Sequence, residues 1–213
     1  MTNKIKTAVC TGLAGLVGLL PMRAKAGNAS GHVGYMRSEN PQTSYVETSV
    51  DYGLPGDVKA NTFLDVYNDG GYFGKTTLTR KITNWLNARA RAIHGNEYFS
   101  QAGIGVEAKI PMPNKMFAKL MFMPLWHDGD APVKNKANAE YVVGADLGKG
   151  FDACAWGRIN VADPEGPTWC AGGISLYKHA GKWKIGYDAN LNSRGAGDLS
   201  SKIEHRLGVF RKF

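Results

Sequence analysis

The feature that most constrains this chain is an alternation of apolar and polar residues with a period of two. In the segment 183–191, tryptophan, isoleucine, tyrosine, alanine and leucine occupy every second position, and lysine, glycine, aspartate and asparagine lie between them. The segments 98–110 and 139–147 repeat the pattern. Successive side chains of a strand point to opposite faces, whereas a helix rotates by about 100° per residue. The period therefore predicts an all-β protein.

Clusters of Gly, Pro, Asn and Asp predict the turns and hence the number of strands. They leave eleven strand centres and one long gap between residues 77 and 104. A twelfth strand at 88–95 would fill the gap, and so would a short amphipathic helix within Ile82–Ile93. Twelve strands predict a closed antiparallel up-and-down β-barrel with both termini on one side. Longer strands would reduce the number to eight or ten, and eleven strands with a helix would suit a soluble sandwich or calyx.

The N-terminus predicts export. Lys4 and Lys6 precede an apolar stretch at 7–20, and Ala24 and Ala26 form a small-x-small cleavage pattern. This stretch is shorter than the roughly 20 residues that a spanning helix needs. We therefore predict a signal peptide at 1–26 and a single barrel domain at 27–213. Its removal would lower the net charge from +8 to +4, because residues 1–26 hold four basic residues and no acidic one.

The sequence predicts no cofactor, nucleotide or nucleic-acid partner. The basic residues are dispersed, whereas a nucleic-acid surface needs them clustered. The segment 69–76 approaches a phosphate-binding loop, but Asp69 stands where the first glycine is required. The histidines form no closely spaced metal-binding pair, and there is no G-x-S-x-G motif. Catalysis is therefore not predicted, although a hydrolytic site assembled from distant residues would leave no such trace.

Cys154 and Cys170 are the two cysteines that follow the signal peptide. Each lies in a predicted strand, and a turn cluster at 163–167 separates them. Even spacing places both on the same face of a hairpin, so a cross-strand disulfide is one expectation. Two reduced thiols packed as small apolar residues are the other.

The polar face of the alternating segments carries charges of both signs. In a channel, such residues set ion preference, and in a small plugged barrel they pair across the interior. The candidate lumen charges are Glu107, Lys109, Asp146, Asp152, Arg158, Lys182, Lys184 and Asp188, with Glu47, Asp51, Asp65, Lys75 and Lys119 on the same predicted face.

The chain ends on Phe213 after an alternating segment that places Ile203, Leu207 and Val209 on the same face. A closing amphipathic strand that ends on phenylalanine resembles the C-terminal strand of bacterial outer-membrane β-barrel proteins. The resemblance implies an outer-membrane location, contact with membrane lipids, and recognition of the last strand, closed by Phe213, by the barrel-assembly machinery. Length and strand number are also similar to small twelve-stranded porins for acidic oligosaccharides, whose lumens are more basic.

Two segments depart from the resemblance. Arg211 occupies a position that is usually apolar in these proteins, and Met116–Trp126 is apolar on both faces. A strand with two apolar faces suits a doubly buried strand of a soluble protein, or one that packs against a plug. The sequence thus predicts a non-catalytic outer-membrane barrel that acts as a narrow pore or as a structural or surface-interaction protein. The alternative is a periplasmic or secreted β-sandwich or calyx that binds a ligand or partner.

Overall fold

The structure, a computed structural model, consists of twelve antiparallel strands. It describes residues 29–39, 43–95, 101–128, 136–161, 168–192 and 203–213, so the predicted signal peptide lies outside the described residues. The strands are β1 (Ser30–Ser38), β2 (Tyr45–Leu54), β3 (Val58–Tyr67), β4 (Tyr72–Lys81), β5 (Leu86–Gly95), β6 (Gln101–Ile110), β7 (Met116–Asp128), β8 (Lys136–Gly148), β9 (Phe151–Asn160), β10 (Thr168–Ala180), β11 (Trp183–Asn192) and β12 (Glu204–Lys212).

The twelve strands form one closed sheet. Each strand pairs with its neighbours in sequence, and β12 pairs with β1 to complete the barrel. This confirms the predicted up-and-down barrel of twelve strands. The sandwich alternative is wrong, because a closed sheet has no second layer on which to pack. The described residues contain no apolar helix of membrane-spanning length.

The helix considered for Ile82–Ile93 is also wrong. Residues 82–85 form a turn in which the Thr83 hydroxyl accepts a hydrogen bond from the Leu86 amide at 3.0 Å. Strand β5 follows directly, with Ala88, Ala90 and Ala92 alternating with polar residues. These alanines are too small to produce a clear apolar stripe, so the period of two was obscured in the sequence.

The two ends of the barrel differ in the length of their connections. Turns of two to five residues lie at the end that holds both chain termini, whereas connections of four to eleven residues lie at the other end. In outer-membrane barrels, the short turns face the periplasm and the longer loops face outward. One of the two two-residue turns is Lys149–Gly150, where both residues have positive φ (52° and 79°), as a hairpin of type I′ requires.

Large apolar side chains cover the outside of the barrel. They are exposed along the middle of the strands, where a water-soluble protein would bury them. A continuous apolar band of this kind is the lipid-facing surface of a membrane barrel. Its members include Val33, Tyr35, Leu78, Ile104, Leu120, Phe122, Ile174, Leu176, Ile185, Tyr187, Leu207 and Val209.

Strand β7 explains why Met116–Trp126 is apolar on both faces. Leu120 and Phe122 belong to the outer band and are 51% and 45% exposed, whereas Met121 and Met123 point inward and are buried. Met123 packs with Ile93 and Phe73 inside the barrel. The inner side of β7 is therefore covered by side chains of β4 and β5, which accounts for its apolar character without a plug in the part of the chain that the structure describes.

Candidate functional site

The barrel encloses a cavity of about 810 Å³, lined by side chains from most of the strands. The polar members of the alternating pattern point into it, as a lumen requires. Its charged lining residues are Glu47, Asp65, Glu140 and Asp188 with Lys75, Arg89, Arg91, Arg158 and Arg206. Acidic and basic groups are nearly equal in number, so the lumen is balanced rather than strongly basic.

One half of the lumen is crossed by buried ion pairs. Arg91 on β5 pairs with Glu140 on β8, and Arg89 pairs with Glu107 on β6. Asn87 also donates a hydrogen bond to Glu107 at 3.0 Å. The Arg91–Glu140 pair links strands that are three apart in the sheet. It therefore connects different parts of the wall and neutralises both charges.

The opposite half of the lumen holds a second polar network. Glu47 lies 2.5 Å from His32, and the Tyr177 hydroxyl donates to Asp188 at 2.9 Å. Arg206 donates to Glu204 at 2.5 Å. These pairs are charge-assisted and mostly buried, so they hold their side chains in fixed positions around the cavity.

Aromatic side chains narrow this half of the lumen. Phe210 is buried against Met36 and Tyr45, with Tyr177 packed beside them. The Lys184 ammonium lies 4.1 Å from the centroid of the Tyr177 ring and 4.3 Å from that of Phe210. These cation–π contacts stabilise the ammonium group of Lys184 beside the two rings.

Inward-facing glycines let these large side chains lie flat against the wall. A Cβ atom placed at Gly34 would lie 2.2 Å from the Phe210 ring, and one at Gly186 would lie 2.0 Å from the Tyr177 ring. Ordinary contacts of a Cβ atom are longer than about 3.4 Å. Each glycine therefore supplies a depression that holds an aromatic ring on the neighbouring strand. Without it, the ring would be displaced toward the cavity.

Asp65 differs from the other cavity carboxylates in its hydrogen bonding. It is only 5% exposed, and its Oδ1 atom has no hydrogen-bond partner among the residues that the structure describes. Glu47 lies directly opposite on β2, and two like charges facing each other across a sheet are unfavourable. Lys75, one strand further on, lies over the ring of Phe63 at 5.1 Å.

The predicted lumen charges, apart from Lys182, lie in three places: on the cavity wall, in buried contacts beside it, and near the end of the barrel with short turns. Arg158 and Asp188 line the cavity, together with Glu47, Asp65 and Lys75 from the wider set. Glu107 is buried in its pair with Arg89, and Lys184 contacts the aromatic rings. Near the end with short turns lie Lys109, Asp146 and Asp152; Asp146 is 3.9 Å from Lys115, and Asp152 is 2.9 Å from His179.

The prediction that Lys182 faces the lumen is wrong. Lys182 lies in the two-residue turn between β10 and β11 and is exposed. The alternating pattern of β11 begins at Trp183, one residue later.

The register does not support the predicted disulfide. Cys154 is a free cysteine and lies opposite Ser175 of β10. The register change between Trp169 and Ala171 places Cys170 beside Ile159 and Arg158. At about 3.3 Å per residue, this puts the two cysteines more than 10 Å apart along the hairpin, beyond the roughly 7 Å limit for a disulfide. A simple hairpin centred on 163–167 would already place Cys154 opposite residue 176, so the even spacing of the cysteines predicts a shared face but not facing positions.

Arg89, Arg91, Glu140 and Arg206 are lining residues absent from the predicted set of lumen charges. Arg89 and Arg91 lie in the segment for which the sequence left a strand and a helix open. Once 86–95 is recognised as a strand, both must face the same side as Asn87, because they are two and four residues away. The signal existed in the sequence but depended on the correct secondary structure.

Among the described residues, no group of His, Cys, Asp and Glu is arranged to hold a metal ion. What the lumen offers is a polar cavity with fixed charges. Together with the closed sheet and the apolar outer band, this architecture is that of an outer-membrane β-barrel.

Comparison with solved structures narrows the fold to that of small porins. The KdgM porin superposes with a TM-score of 0.60 over 86% of this chain and 99% of its own, at 8% sequence identity. The NanC porin gives a TM-score of 0.59 over 87% of this chain and 100% of its own, at 12% identity. A further KdgM structure is described as a complex with disordered oligogalacturonate. No protein-family model matches the chain, and no curated protein matches it.

Proposed function

We propose that this protein is a narrow, non-catalytic pore for small polar solutes. The observation that carries the proposal is the cavity of about 810 Å³ inside a closed barrel, lined by charged side chains and surrounded by an apolar outer surface. A purely structural barrel would be filled more completely by pairing and packing of its inner side chains. The similarity in fold to the KdgM and NanC porins supports a pore.

The charge balance argues against strong selectivity for anions. Arg89 and Arg91 are each neutralised by a glutamate, so they do not act as free anion-binding groups. The oligogalacturonate in one KdgM structure is an acidic sugar chain. The lumen of this protein does not favour such a ligand, because it also presents the carboxylates of Glu47, Asp65, Glu140 and Asp188. We expect weak ion selectivity and transport limited chiefly by size.

The proposal includes delivery to the outer membrane. The signal peptide at 1–26 would direct export, cleavage after Ala26 would leave the domain 27–213, and the barrel-assembly machinery would recognise β12 and Phe213. With an even number of antiparallel strands, both ends of the sheet lie at the end with short turns, which faces the periplasm in outer-membrane barrels.

Single-channel recording tests the pore. The purified, folded protein is inserted in a planar lipid bilayer in KCl, and boiled protein serves as the negative control. Discrete conductance steps that require the heat-modifiable, folded form would support the proposal. A folded barrel that inserts in the bilayer but passes no current would contradict it. Fractionation of cells gives the location independently, because a soluble periplasmic pool would contradict the membrane assignment.

A further inference from the structure

Asp65 presents to the cavity a buried carboxylate oxygen, Oδ1, that has no hydrogen-bond partner in the described part of the chain. By contrast, Glu140 is paired with Arg91, and Asp188 accepts a hydrogen bond from Tyr177. Burying a charged group without a partner is unfavourable. A carboxylate kept in this state at the wall of a cavity is poised for a partner that comes from solution.

The surroundings of Asp65 favour a positively charged group on one side. Glu47 faces it from β2, so two carboxylates share one region of the wall. The rings of Tyr45 and Tyr67 lie beside them with centroids 5.3 Å apart, and the Arg206 guanidinium already lies over the Tyr45 ring at 5.2 Å. Carboxylates bind an ammonium group by charge-assisted hydrogen bonds, and the ring of Tyr67 can add cation–π attraction. Binding of an ammonium group would also relieve the repulsion between the two carboxylates.

Lys75 supplies the opposite charge next to this acidic pair. It lies on β4 opposite Phe63, and is therefore the diagonal neighbour of Asp65 on the inner face. Its ammonium group contacts the Phe63 ring and forms no ion pair with any residue that the structure describes. The backbones of diagonal neighbours on adjacent strands are about 7–8 Å apart, so Lys75 and Asp65 border the same part of the cavity, and both line it.

We propose that the lumen contains a binding site for a compact zwitterion of the α-amino-acid class. The ligand's ammonium group binds between Asp65 and Glu47, and its carboxylate binds to the ammonium group of Lys75. A lone cation would leave Lys75 unused, and a lone anion would meet the two carboxylates. This inference rests on the proposed pore, because it names the class of solute that the lumen holds during passage.

Binding to the folded protein in detergent tests the site without requiring conduction. Alanine is the zwitterionic probe, and propionate and isopropylammonium each retain only one of its charged groups. Equilibrium dialysis measures the affinity for each. We expect alanine to bind more tightly than either analogue, by about tenfold if each additional charge-assisted contact contributes the usual increment.

Two isosteric or near-isosteric substitutions separate the contacts. Asp65→Asn should reduce the affinity for alanine by about tenfold, and Lys75→Met should reduce it similarly. Asp51→Asn and Lys59→Met are the matched controls, because they remove the same charges from β2 and β3 at exposed positions that do not line the cavity. Heat-modifiable gel mobility verifies that each variant is folded.

Several results would overturn the site: equal affinity for the three probes, unchanged alanine binding in Asp65→Asn, or unchanged alanine binding in Lys75→Met. The last of these would reduce the site to one for simple cations. Liposome swelling with the same three solutes then tests the pore. Selective binding without swelling would contradict the pore and leave the site intact, whereas swelling without selective binding would contradict the site and leave the pore.

Discussion

Phe213 and Gly31 exchange two backbone hydrogen bonds across the seam of the barrel. The Phe213 amide donates to the Gly31 carbonyl at 3.1 Å, and the Gly31 amide donates to the Phe213 carbonyl at 3.3 Å. They continue the β1–β12 ladder by one residue pair, and the Phe213 ring lies against Gly31. The C-terminal residue is thus bonded to the first strand at the position where the barrel closes.

Adding a side chain at this contact should weaken closure. In Gly31→Val, the new Cβ would lie 2.8 Å from the Phe213 ring and closer still to the Ser49 carbonyl. We expect a loss of about 1–3 kcal/mol in the free energy of unfolding, as for other overpacked sites. Urea titration in lipid vesicles measures it. Gly53→Val is the control, because no atom lies within 4 Å of a Cβ at that position. Equal effects of the two substitutions would contradict the role of the seam.

The Arg91–Glu140 pair should contribute strongly to stability. Both side chains are largely buried, at 4% and 16% exposure, so removal of one partner leaves an uncompensated charge. We expect Arg91→Ala or Glu140→Ala to cost about 3–5 kcal/mol, with the double variant far less affected than the sum. The exposed Lys115–Asp146 pair is the comparison, and its disruption should cost at most about 1 kcal/mol. Strict additivity at Arg91 and Glu140 would show that the two side chains do not interact.

The position of the membrane predicts a depth dependence on the outer surface. Ile174 lies at the middle of β10 and is exposed to lipid, whereas Ile82 lies in a turn at the end of the barrel. Ile174→Arg should cost about 2–4 kcal/mol, and Ile82→Arg about 0–1 kcal/mol. The free energy of unfolding in vesicles gives both values. Similar costs at the two sites would be incompatible with a band of lipid centred on the strands.

Removal of an inner aromatic ring should widen the lumen. Phe210 packs with Met36 and Tyr45 on the inner wall, so we expect Phe210→Ala to increase the single-channel conductance. Leu207→Ala removes a side chain from the outer face of the same strand and should leave the conductance unchanged. A conductance that is insensitive to Phe210 would mean that another part of the lumen limits the current.

Cys154 reports on access to the cavity. It is a free cysteine among the lining residues, so a small charged thiol reagent should modify it in the folded protein. Peptide mass spectrometry identifies the modified residue, and Cys154→Ser is the control. If Cys154 reacts only after treatment with a reductant, it is oxidised in the folded protein. That result would support the disulfide with Cys170, one of the two expectations from the sequence.

The fold was more predictable than the arrangement of charges within it. Alternation depends only on residues that are close in the sequence. It therefore predicted the strands, with the twelfth as one of two options, and it predicted that Asp65 and Asp188 point inward. Ion pairs such as Arg91–Glu140 depend on residues 49 positions apart, and their partners are set by register and barrel curvature. The sequence left a disulfide and two reduced thiols open, because the register of the β9–β10 hairpin, which places Cys154 opposite Ser175, could not be read from the spacing of the two cysteines.

The glycine depressions under Phe210 and Tyr177 have a consequence for how such a pore changes over time. The number of strands fixes the outer diameter, but the free bore depends on whether each ring has a hollow in which to lie. Replacing one inward glycine by a larger residue would narrow the passage, and shortening one ring would open it, with no change in strand pairing. Single amino-acid substitutions can therefore change the permeability during evolution while the assembly pathway and the lipid-facing surface remain the same.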